Sequence, residues 1–161
     1  MTTTVTLHGY SNFRDTTSGM FMARCLDSVF TSSSASSTGL GQMSAWTFHD
    51  SNLPAGTCTQ APPAGVTAVV ASGLPYTFNS TTGSSGTLTG LRFVLSMWDG
   101  CILVVEGPGA TTGSLNWARS SAGQVTFSGG NLVVGTANSN CDPYWYSPGD
   151  TVSANGLYPY P

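Results

Sequence analysis

Residues 91–107, LRFVLSMWDGCILVVEG, constrain this chain more than any other stretch. Two apolar runs rich in β-branched and aromatic residues flank Asp99-Gly100, a dipeptide that readily takes the positive φ angles of a two-residue type I′ turn. The segment is therefore predicted to be a β-hairpin. Such a turn fixes the register: Trp98 faces Cys101, followed by the pairs Met97 and Ile102, Ser96 and Leu103, Leu95 and Val104, Val94 and Val105, and Phe93 and Glu106. One face then carries Leu95, Met97, Ile102 and Val104, and the other Val94, Trp98, Cys101, Leu103 and Val105. With apolar residues on both faces, both are expected to need cover, from a second layer of the fold or from another subunit.

A second hairpin is expected over residues 124–134, with Gly129-Gly130 as its turn, Phe127 facing Leu132 and Val125 facing Val134. Residues 42–50 alternate, with Trp46 and Phe48 on one side, and read as a strand. Val5 and Leu7 mark a first strand that ends at His8-Gly9, residues 11–19 read as a loop, and residues 20–26 suit either a short strand or a helical turn. The serine-rich stretch 28–41 reads as a surface loop or an arm, and one that is ordered throughout would be explained by a neighbour holding it. Residues 53–65, with three Pro and two Gly, are expected to be irregular. So is the segment 138–161, which holds four Pro and looks strand-like only at 150–154. Together these give about eight to ten short strands and no convincing amphipathic helix, which predicts one all-β domain over residues 1–161, an antiparallel β-sandwich or jelly roll.

Charge is scarce. Asp, Glu, Lys and Arg make up 7% of the 161 residues, against about 25% in an ordinary domain. Lys is absent and the four Arg are scattered, so the clustered cations that displace counterions from nucleic acid are missing. A net charge of −3 gives little protection against association, which suggests a surface that ends against other chains. The opening residues have no basic and no apolar signal region, and no apolar run approaches the ~18 residues needed to span a bilayer. Synthesis in a host cytosol without a signal peptide is the expectation. The four Cys (Cys25, Cys58, Cys101, Cys141) form no C-x-x-C pair. Three pairings are open to them if oxidised, and a reducing compartment favours free buried thiols.

No catalytic, cofactor or metal motif is found. There is no G-x-S-x-G, no H-x-x-x-H or H-x-E, no calcium loop and no phosphate loop. His8 and His49 are the only candidate imidazole bases, and either would need the fold to set it beside a carboxylate in a cleft. The aromatic residues say more. Trp98 at the hairpin turn, Tyr144, Trp145 and Tyr146 in DPYWY, and Tyr158 and Tyr160 in LYPY are the candidate interface residues, because Trp and Tyr anchor protein interfaces with little rotamer entropy.

Compact, β-rich, hydroxyl-rich and lysine-poor chains resemble, in composition, accessory virion proteins such as the capsid decoration or head proteins of tailed phages. That resemblance implies a structural protein of the virion, a homo-oligomer clamping neighbouring coat subunits, with no enzyme activity, no nucleic-acid partner and no membrane partner. The alternative expectation is a carbohydrate-binding or receptor-binding β-sandwich of a fibre or adhesin, in which the same rings stack on a glycan while Asn140 and Asp142 bond its hydroxyls.

Overall fold

A computed structural model describes residues 2–35, 39–60 and 65–159. They form thirteen strands, β1 (Thr2–Asp15), β2 (Phe21–Ala35), β3 (Gly39–Thr47), β4 (Cys58–Gln60), β5 (Gly65–Ala71), β6 (Tyr76–Thr82), β7 (Ser85–Leu91), β8 (Phe93–Met97), β9 (Ile102–Glu106), β10 (Gly113–Arg119), β11 (Val125–Ser128), β12 (Val133–Ala137) and β13 (Val152–Tyr158). The only helical turn among the described residues is a 3-10 turn at Pro108–Ala110, and none of their helices is long and apolar enough to cross a membrane. The all-β expectation holds. The sheet does not separate into two layers but closes: β1, β13, β11, β10, β7, β6, β3, β5, β4 and β2 pair in sequence, every pair antiparallel, and β2 returns to β1. Closure removes the open edges a flat sheet would present. Outside this barrel β5 continues into β8, β9 and β12. The outer strand β12 is in turn capped by the chain before β13, through bonds between Val134 and Asp150, Gly149 and Val134, and Val152 and Leu132.

The first hairpin exists, but its register is one residue off the expected one. Met97 N–H bonds Cys101 O, Gly100 N–H bonds Met97 O, and Gly100 has φ +85°. The loop is thus three residues long, Trp98 to Gly100, with glycine in the left-handed position that such loops require. The pairs become Ser96 with Ile102, Leu95 with Leu103, Val94 with Val104 and Phe93 with Val105. A one-residue slip reassigns every side chain. Phe93, Leu95, Met97, Leu103 and Val105 now all point inward and are buried, while Ile102 is 43% exposed on the other face. One face is covered by the molecule's own core, and the other, with Val94, Ile102 and Val104, is left outward.

The second expected hairpin does not form. β11 pairs with β10 and β13, and β12 pairs with β9. Gly129 and Gly130, both at positive φ, carry the chain from the barrel across to the outer strands. A Cβ on Gly130 would sit 2.0 Å from Ser114 O. A Gly-Gly pair permits a hairpin without enforcing one, and here its missing side chains allow a close crossing.

Two other expectations are corrected. The serine-rich segment is no arm: residues 28–35 belong to β2, which pairs with β3, and Ser32 Oγ donates to Gln42 O while Ser33 Oγ accepts from Gln42 N. Residues 36–38 lie outside the described set. His8-Gly9 does not end β1, which runs on to Asp15 through bulges at Gly9/Ser11 and Phe13/Arg14.

The tail is not irregular throughout, because β13 fills the gap between β1 and β11. The free-thiol expectation also fails. Cys25 bonds Cys58 and Cys101 bonds Cys141, closing loops that tie β2 to β4 and the β8–β9 turn to the segment after β12.

One buried cluster runs through barrel and outer strands. Phe30 lies 5.0 Å from Tyr158 and 5.7 Å from Phe127 between ring centroids, and Trp46 links them to Phe93 at 5.5 Å. Edge-to-face contacts of this kind add about 0.5–1.5 kcal/mol each beyond area burial, so these rings form a mutually packed core.

Candidate docking surface

Three of the exposed aromatic residues flank one disulfide in the chain, while a fourth, Tyr10, lies apart on β1. Trp98 (62% exposed) sits in the β8–β9 turn beside Cys101, and Tyr144 (88%) and Trp145 (39%) lie just past its partner Cys141. Their backbones are fixed from within. Asn138 Nδ2 donates to Gly100 O at 2.9 Å and Asn140 Nδ2 to the same oxygen at 3.3 Å. Asn138 Oδ1 accepts Ile102 N–H at 3.1 Å. Asp142 starts a tight turn by accepting Tyr144 N–H on Oδ1 at 2.9 Å, while its carbonyl takes the N–H groups of Trp145 and Tyr146. Ser18 Oγ then donates to Trp145 O at 2.7 Å. Side chains held on backbone this well braced lose little entropy on binding.

Continuous with Trp98 is the outward face of β5, β8 and β9. Val70, Val94 and Val104 stand in register across three strands, and beside them Ala68, Ser96 and Ile102 do the same. Val70 is 57% exposed. The surface combines a β-branched row with large rings and carries the acids Asp99 and Asp142. Lys is absent from the whole chain.

The other candidate interface residues fall elsewhere. Tyr146 is buried and donates its hydroxyl to Phe21 O at 2.6 Å, which pins the loop to β2. Tyr158 is wholly buried in the barrel. Both are core residues, and Tyr160 lies outside the described residues. Alternation could have exposed Tyr158 as core, since Val152, Ala154 and Gly156 precede it at intervals of two.

The carboxylates include a pair that the sequence did not single out. Asp15 is fully buried at the end of β1. Its Oδ1 accepts the N–H groups of Thr17 at 3.0 Å and Ser18 at 2.9 Å, while its buried Oδ2 receives no donor, and the carboxyl of Asp150 lies beside this side chain. Burial first, and then the contact with Asp150, pushes Asp15 up to about 6. Asp50 differs: Thr59 Oγ1 donates to it at 2.6 Å and Asn52 N–H at 3.1 Å, and these bonds hold it below the ordinary Asp range. An Asp-Thr-Thr-Ser sequence does signal an Asx turn, but nothing local reveals that residue 150 will arrive opposite.

His49 Nε2 lies 3.0 Å from Leu53 O and serves a turn. His8 and Asp27 line one shallow groove of about 320 Å³ with Tyr10 and Leu26, and no hydrogen bond joins the two. Among the described residues no three His, Cys, Asp or Glu side chains gather. Compared with known protein families, with curated proteins and with solved structures, the chain matches none.

Proposed function

We propose that this chain is a structural protein of a large assembly, an accessory virion protein that clamps neighbouring coat subunits through Trp98, Tyr144 and Trp145 and the adjoining outer face of β5, β8 and β9. The observation that carries the reading is the placing of these exposed rings on both sides of one disulfide, on loops whose backbone is already bonded. Rigid aromatic anchors beside an apolar row, with little charge to desolvate, suit burial against another protein. Two disulfides agree with a protein that finishes in an oxidising place, and a virion surface is one. A symmetric homo-oligomer is part of the proposal.

Glycan binding fits less well, because the polar groups it would recruit are partly engaged. Asn140 Nδ2 is bonded to Gly100 O and Asp142 Oδ1 to Tyr144 N–H. The test is co-sedimentation with assembled coat-protein shells of the virion that carries this chain, together with sedimentation velocity of the free chain. Binding that is lost on Trp98→Ala plus Tyr144→Ala supports the proposal. A solitary monomer at high concentration that ignores shells and binds on a glycan array overturns it.

A further inference from the structure

We propose that the contact between Asp15 and Asp150 is a proton-operated latch: while the two carboxyls share a proton, the segment 142–151 stays fastened to the β1–β2 turn, and loss of that proton loosens it together with Tyr144 and Trp145. The geometry is that of an acid pair. Asp15 pairs with Val152 across β1 and β13, which brings Asp150 alongside. One oxygen of Asp15 is spent on Thr17 and Ser18, and one of Asp150 on Ser147 N–H at 3.0 Å. Asp15 Oδ2, buried without a donor against a second carboxyl, is stable only with a proton between them.

Among the described residues no cation neutralises the pair. On β1 the neighbour is Arg14, which alternates to the opposite face, donates to Gly19 O at 3.1 Å and lies 5.3 Å over the Phe21 ring. The β1–β2 turn offers only Thr16, Thr17, Ser18, Gly19 and Met20, the start of β2 Phe21 and Met22, β12 Val133 and Val134, and β13 Val152 and Ser153, none of them ionisable. In the segment itself Asp142 turns to Tyr144 N–H and Tyr146 gives its hydroxyl to Phe21 O. The remaining fastenings are neutral: Ser18 Oγ to Trp145 O, Thr16 to Thr151 O, and the backbone bonds to β12. When both carboxyls are charged, nothing offsets their repulsion.

The use of the latch, in governing how rigidly the aromatic end is presented, rests on the docking proposal, whereas the loosening is a property of the free chain. Hydrogen exchange read by mass spectrometry on the free chain at pH 5 and 7.5, corrected for intrinsic rates, therefore tests it without reference to docking. In the wild type, protection over residues 142–151 and 16–19 is expected to fall about tenfold at the higher pH, the barrel strands staying protected. In Asp15→Asn an amide donates permanently to the Asp150 carboxylate and the pH dependence disappears; in Asp150→Asn an amide donor faces Asp15, and the pH dependence shrinks while burial still acts on that carboxyl. Either variant serves if the other fails to fold. Wild-type protection unchanged between the two pH values, or the same loss in the variants, overturns the latch.

Discussion

Trp46 donates its indole N–H to the hydroxyl of Tyr158 at 2.9 Å, inside the barrel. The same hydroxyl is bonded to Ser11, so one oxygen joins β1, β3 and β13 at the point where the last strand completes the ring. Burial pushes this phenol up to about 12, and it stays protonated at any physiological pH. Tyr158→Phe keeps the ring and orphans Trp46 Nε1 and Ser11 Oγ. It is expected to cost about 1–3 kcal/mol in urea unfolding. Trp46→Phe added to it should cost less than the sum of the single changes, and strict additivity would show that the bond contributes nothing.

The disulfides span sequence separations of 33 and 40 residues. Loops of that size predict a loss of about 3–4 kcal/mol when either is removed. Cys101→Ser with Cys141→Ser, and Cys25→Ser with Cys58→Ser, should each lower the thermal midpoint, and reductant should do the same to the wild type. Peptide mapping without reduction should recover only the pairs 25–58 and 101–141.

Surface and core aromatics should part company under substitution. Trp98→Ala and Tyr144→Ala remove exposed rings and are expected to leave stability within about 0.5 kcal/mol while weakening attachment to shells. Phe30→Ala empties the centre of the core and is expected to cost about 3–5 kcal/mol. Circular dichroism melts beside co-sedimentation separate the two classes, and a large loss of stability in Tyr144→Ala would place that ring in the core instead.

Stability should peak in mildly acidic solution. Asp15 is raised in the folded state from 3.8 to about 6, so between those values the folded chain holds a proton the unfolded chain has released, and stability falls as pH rises through the window. Asp50 is lowered, so its contribution is present above the unfolded value near 3.8 and is lost as pH falls below it. Chemical denaturation across pH 3 to 8 should show both limbs. Asp15→Asn is expected to flatten the upper one and Asp50→Asn the lower.

Where inward positions are apolar, the sequence was readable. Alternation marked Trp46 and Phe48 as inward-facing, the apolar runs around residue 99 marked a hairpin, and the absence of helical periodicity excluded helices. The long strands were hidden because their inward positions are not uniformly oily: β1 turns Ser11 and Asp15 inward, and β2 turns Ser28 and Ser32. The hairpin register was missed because Asp-Gly serves both a two-residue and a three-residue loop, and the choice rests on packing Phe93, Leu95 and Leu103 together. The cysteine pairing depends on contacts across 33 and 40 positions, and ring closure on the pairing of the first strand with the last, which no local pattern encodes. Of the candidate surface, the rings were visible; the bracing by Asn138, Asn140 and the second cysteine was not.

Trp98 stands three positions before Cys101 and Tyr144 three positions after Cys141, so a sulfur–sulfur bond lies directly between the two most exposed rings. Tension applied at either ring would reach strand β9 and the base of the loop through covalent atoms, sparing the surrounding hydrogen bonds, which could otherwise peel one at a time. A pull on one loop is therefore shared by the other, and the two cannot be drawn apart one hydrogen bond at a time.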